Sequence, residues 1–143
     1  MKRQALLELL AEYQEHHVDE AAVVDRIRSL VIAHDDCFER VCRPGHITGC
    51  AWVVSADGER HLLLHHRKLN KWLQPGGHAD GDPDVARVAL REATEESGLQ
   101  ALALFPSVPT VLDDDVHDIP ARYKTDGTVK EDAHEHNDVR FLV

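Results

Sequence analysis

The 143-residue chain carries 16 Lys and Arg against 26 Asp and Glu, a formal net charge of −10. That length holds one hydrophobic core and no comfortable second one, and that charge excludes a nucleic-acid polymer as the main partner. Apolar runs stay below the roughly 18 residues of a membrane span, and MKRQALLELLAEYQEHH is too charged for a signal-peptide core, so a cytoplasmic protein off the membrane is expected.

Leu6, Leu7, Leu9, Leu10 and Tyr13 recur with a helical period, as do Ala21, Val24, Ile27, Leu30 and Val31 after the break at VDE. Residues 1–40 are therefore expected to form an N-terminal helical hairpin. Cys37, Cys42 and Cys50 lack the paired spacing of structural zinc sites and read as buried free thiols. From Gly45 the pattern turns β-rich. HITGCAWVVS and RHLLLHHR, separated by the hairpin signal Asp57-Gly58, predict adjacent antiparallel strands, with His65 and His66 on opposite sides of the second.

KWLQPGGHADGDPD reads as a turn-rich loop punctuated by Pro75, Gly76, Gly77 and Gly81. A helix over 83–97 follows, with Asp82 as N-cap, Pro83 at its first position and Gly98 just past its end. Beyond it LQALALF, TVLDDDVHDI and DVRFLV read as strands, and PARYKTDGTVKEDAHEHN as a long polar loop. The last strand runs into Val143, so an element expected to complete its layer is not seen. The N-terminal hairpin or a partner subunit in a homodimer is left to cover that side.

The helix carries Glu92, Glu95 and Glu96 close to its C-terminal end. Like charges three or four residues apart cost roughly 0.2–0.5 kcal/mol per pair, and the negative end of the helix dipole adds about 0.3–1 kcal/mol each for Glu95 and Glu96. On a helical wheel they span about 100°, beside a seam of Ala86, Ala89, Leu90 and Ala93. Such an oxygen-rich cluster either takes up protons or holds a hard divalent cation, Mg²⁺ or Mn²⁺. The glycines before the helix allow close backbone approach to an anion.

In register, GHADGDPDVARVALREATEESGL from Gly77 to Leu99 resembles the signature of the Nudix hydrolases. Gly77, Arg91, Glu92, Ala93, Glu95, Glu96, Gly98 and Leu99 match, and Pro83 stands where the signature has a glutamate. The resemblance extends from about Gly45 to Val143. It implies an α/β/α sandwich with a mixed sheet, and hydrolysis of the diphosphate linkage of a small nucleoside diphosphate derivative. By the same resemblance Glu92, Glu95 and Glu96 are metal ligands, joined by the Gly77 carbonyl, with Glu95 or Glu96 as the base and Arg91 as a strut that orients a glutamate.

Gly76, Gly77 and His78 are candidate substrate contacts, and Trp72 either stacks on a base or packs in a strand. Pro83 removes the usual partner of Arg91, leaving Asp80, Asp82, Asp84 and Glu95 as candidates. His134, His136 and Asp138 share one face if their segment is a strand, with metal-ligand spacing, but a solvated loop is the competing reading. Two further functions stay open: a nucleotide sensor that no longer turns its ligand over, and a His-rich metal-binding module. Asp113 and Asp114 stand fifteen and sixteen residues after Gly98, where the ADP-ribose and dinucleoside-polyphosphate branches carry other residues, and no substrate is named in their place.

Overall fold

The computed structural model describes residues 2–143. Helix α1 (Gln4–His16) leads through a 3₁₀ turn (Val18–Glu20) into α2 (Ala21–Ala33), so the N-terminal hairpin forms where the periodicity places it. Strands β1 (Gly45–Trp52), β2 (Leu64–His66), β3 (Lys71–Leu73) and β4 (Gly76–His78) follow, then helix α3 (Val85–Ser97). The chain ends in β5 (Val111–Ile119), β6 (Arg122–Tyr123), β7 (Val129–Glu131) and β8 (His134–Leu142). Among the described residues no helix is long and apolar enough to cross a membrane.

The central sheet has the order β4-β1-β8-β5 and is mixed, because β1 runs parallel to β8 while β4 and β5 are antiparallel to their neighbours. With helices packed on such a sheet the fold is of the α/β class. Strand alternation sends Ile47, Gly49 and Ala51 of β1, with Asn137, Val139 and Phe141 of β8, to the helical side. There α3 lies on β1 and β4, and α1 and α2 lie on β5. Leu6, Leu10 and Tyr13 of α1, and Val24, Ile27 and Val31 of α2, join Val85, Val88 and Ala89 of α3 in the same buried core. Closeness there depends on a missing side chain: a Cβ on Gly49 would lie 2.9 Å from the Val85 carbonyl.

Several elements differ from the sequence expectation. RHLLLHHR meets HITGCAWVVS only past the end of β1, through the antiparallel bridge of Val54 with His61 and the Leu62-to-Val53 and Ser55-to-Arg60 backbone hydrogen bonds; its end is β2, which pairs with β3 instead. The turn-rich loop before the helix contains β3 and β4, and β4 takes the edge of β1 through the register Thr48 to His78 and Cys50 to Gly76. LQALALF forms no strand. It is an irregular segment whose Leu102 and Leu104 rest on the core, with the Phe105 amide donating to Leu142.

The expected polar loop folds into the β6–β7 hairpin, turning at Gly127 with φ 87°, and its last four residues are the start of β8. They become strand because both edges are filled, His136 lying opposite His46 of β1 and His117 of β5. The other side of the sheet is polar. Its floor carries Thr48, His78, His117, His136 and Asp138, and the β2–β3 hairpin walls one side of it through His66 and Leu73. Cys37 and Cys42 are buried free thiols as expected, and Cys50 is half-buried.

Candidate active site

Helix α3 begins two residues later than its sequence suggested. Asp84, not Asp82, is the N-cap, its carboxylate accepting from the Arg87 amide at 3.1 Å. Asp82 instead receives the Asp84 amide at 2.9 Å and the Arg87 guanidinium at 2.6 and 2.9 Å. Pro83 between them has no amide to place. At the other end Gly98 takes the left-handed conformation, φ 73°, and its amide donates to Thr94, closing the helix directly behind the glutamates.

Two of the three glutamates lean on the backbone of β4. A Cβ on Gly77 would sit 2.6 Å from the Glu92 carboxylate, so only glycine lets strand and carboxylate meet. The Gly76 amide donates to Glu96 Oε1 at 3.4 Å. Glu95 is exposed beside them. Partial burial raises the Glu96 carboxyl above its ordinary range; the Gly76 amide opposes that rise, and the charges of Glu92 and Glu95 add to it.

Arg91 is tied into the same junction. It donates to the His78 carbonyl at 3.0 Å and to Glu92 at 3.4 Å, and lies 3.9 Å from Asp82. Of the four partners expected for it, Asp80 is taken by Arg40 at 2.7 and 2.9 Å, Asp84 is the cap and Glu95 makes no ion pair with it among the described residues, which leaves Asp82. Where the signature has a glutamate, Arg91 therefore has a strand carbonyl and, at 3.9 Å, the neighbouring Asp82 beside it.

Two grooves meet at this junction. One, about 530 Å³, runs from Glu96 and Gly76 to Leu64 and His65. The other, about 470 Å³, crosses the polar floor of the sheet from Gly77 and His78 to Asp115 and Arg140. They share His66, Leu73, Gln74 and Gly76. Trp72 lines neither; it is 67% exposed on the hairpin and its ring lies against His65 at 5.1 Å.

His134, His136 and Asp138 do share one face of β8, but they do not form one group. Asp138 is buried and accepts from the Thr48 hydroxyl at 2.8 Å and the Cys50 thiol at 2.9 Å. The two histidines gather instead around His46 of β1, which the sequence reading passed over although it alternates with Thr48 and Cys50. His46 is pushed down to about 4 and His136 to about 3, chiefly by burial and then by the neighbouring histidines. Both are therefore neutral at neutral pH.

Residues 46–142, more than half of the chain, match the NUDIX domain family. The chain belongs to the Nudix family. The match begins after the N-terminal helices, where the order of strands had suggested, and takes in α3, β4, β5, β8 and β1 from its second residue. Membership supports a pyrophosphohydrolase-type activity on phosphoric anhydrides in general, and Nudix hydrolases generally need a divalent metal. The α3 junction fits such an ion. Its donors are all oxygen, burial and the charges of Glu92 and Glu95 raise the Glu96 carboxyl, and Glu92 lies so near Gly77 that a Cβ there would stand 2.6 Å from it.

Proposed function

We propose that this Nudix protein hydrolyses the diphosphate linkage of a small nucleoside diphosphate derivative, using Mg²⁺, with Mn²⁺ as a substitute. The observation that carries the proposal is the convergence of Glu92 and Glu96 on consecutive glycines of β4, within a matched Nudix frame. Glu92, Glu95 and Glu96 would hold the ion, with the Gly77 carbonyl as a further donor. Bound there, it supplies charge neutralisation of the phosphates and a lowered pKa for the attacking water.

The chain's own groups do the rest. Arg91 fixes Glu92 against β4 through the His78 carbonyl, so the carboxylate is oriented before substrate arrives. Gly76 and Gly77 let the diphosphate approach the backbone, and His78 contributes a ring to the adjoining groove. Water oxygen attacks one phosphorus, the bridging P–O bond breaks, and two phosphorylated products leave. Glu95 or Glu96, each a carboxylate beside the ion, takes the water proton. Trp72 stands outside the grooves, so base stacking on it forms no part of the proposal.

The test is Mg²⁺-dependent product release across nucleoside triphosphates, nucleotide sugars and dinucleotides. Glu95→Gln and Glu96→Gln should each lower turnover by about 10²–10⁴-fold while the thermal melt is unchanged. Full activity in either variant sinks the assignment. Ligand-induced stabilisation with no product from any substrate would favour the sensor reading instead.

A further inference from the structure

The histidines that hydrolysis leaves unused converge beneath the polar groove. His46 of β1 and His134 and His136 of β8 have ligand atoms all within 4.8 Å of one another. Their ring centroids stand 5.2, 4.9 and 5.2 Å apart. The parallel register produces the cup by setting His46 opposite His136, while strand alternation returns His134 to the same face.

Three of their buried nitrogens, both of His46 and Nε2 of His134, have no hydrogen-bond partner among the described residues. His46 is 1% exposed, and among the described residues neither ring nitrogen has a hydrogen-bond partner. His134 is 5% exposed and oriented from behind. Its Nδ1 lies 2.8 Å from the Asp132 carbonyl and must carry the hydrogen there, which leaves Nε2 as the nitrogen that can coordinate, and among the described residues Nε2 has no hydrogen-bond partner. A backbone carbonyl that fixes the tautomer of an imidazole is the usual support of a metal-bound histidine. Glu131 Oε1 lies 3.7 Å from that Nε2, while Arg122 engages its other oxygen.

We propose that His46, His134 and His136 bind a transition-metal ion of the zinc class, at a site separate from the carboxylates of α3. Three imidazoles suit zinc, cobalt or nickel and offer little to magnesium, whereas the all-oxygen set on α3 has the opposite preference. Asp138 is excluded from the ligand set because Thr48 and Cys50 already engage it. The fourth position is closed by Glu131 or faces the groove beside His78, whose ring lies 5.2 Å from His46 and 5.4 Å from His136.

Full-length protein stripped with chelator is titrated with Co²⁺ and then with Zn²⁺. One equivalent of Co²⁺ should bind with the visible absorption of a four-coordinate site, and Zn²⁺ should displace it. The combined variant Glu92→Gln, Glu95→Gln, Glu96→Gln should retain this binding within threefold. His136→Asn, at a half-buried position, should weaken it at least 100-fold. In unmutated protein, ¹⁵N spectra of the imidazoles should show three rings shifting with Zn²⁺, which decides the matter even if the variant misfolds. Absence of stoichiometric binding, survival of it in folded His136→Asn, loss of it in the glutamate variant, or unshifted imidazoles would each overturn the proposal.

Discussion

A methyl group added at Gly77 meets the far end of the Glu92 side chain, 2.6 Å from its carboxylate, rather than fixed backbone. The strand can stay where it is while the carboxylate swings away. Gly77→Ala should therefore lower turnover at least about 10-fold with the melting temperature within about 2 °C of the parent, since a small misplacement of a positioned group is costly to catalysis. Parallel activity assays and thermal melts check this; a variant that melts early but turns over normally contradicts it. The three glutamates and Gly77 were legible in the sequence because their spacing is local to one helix and its loop. The Arg91 partners were only half legible. Asp82 was among four acidic candidates, but the His78 carbonyl belongs to the backbone of β4, and no residue type announces a carbonyl.

At the level of elements, the seating of α3 on β1 rests on Gly49. Its missing Cβ would stand 2.9 Å from the Val85 carbonyl and 3.1 Å from the Val88 side chain, and the first of these cannot rotate away. Gly49→Ala should push α3 off the sheet by a few tenths of an ångström and destabilise the fold by about 1–3 kcal/mol, as overpacking does. A lowered urea midpoint at unchanged m-value is the expected reading, and an unchanged midpoint would show that the helix has room. The ends of α3, with their cap and left-handed glycine, could be read within two residues because helix punctuation is local. Strand partnership could not. The polar His134–Asn137 segment reads as loop until β1 and β5 are known to flank it, and RHLLLHHR turned to β3 because β4 had taken the edge of β1. His46 escaped notice for the same reason, its companions lying about ninety residues away in sequence.

The charge of the whole molecule has a local expression in Asp114, buried with neither carboxylate oxygen hydrogen-bonded among the described residues. Burial, then the negative charges of Asp113, Glu20 and Asp138, push it up to about 7, and Arg140 opposes them only in part. Between its ordinary value of 3.8 and 7 the folded protein keeps a proton that the unfolded chain has released. Stability contributed by this group is therefore full below pH 4, falls as pH rises, and levels off above 7. His46 and His136, held down to about 4 and 3, act oppositely: the unfolded chain binds their protons first, so their contribution rises with pH up to about 6.5. The two trends overlap in the metal-free protein, and a single profile would mix them. Asp114→Asn separates them. Relative to the parent it should gain nothing at pH 4 and about 2–4 kcal/mol by pH 8, because each pK unit of difference is worth about 1.4 kcal/mol. Urea midpoints of both proteins across that range, in chelator, give the difference directly. A gain that is constant with pH would mean that Asp114 is already ionised in the fold at pH 4, with its proton held no more tightly than in the unfolded chain.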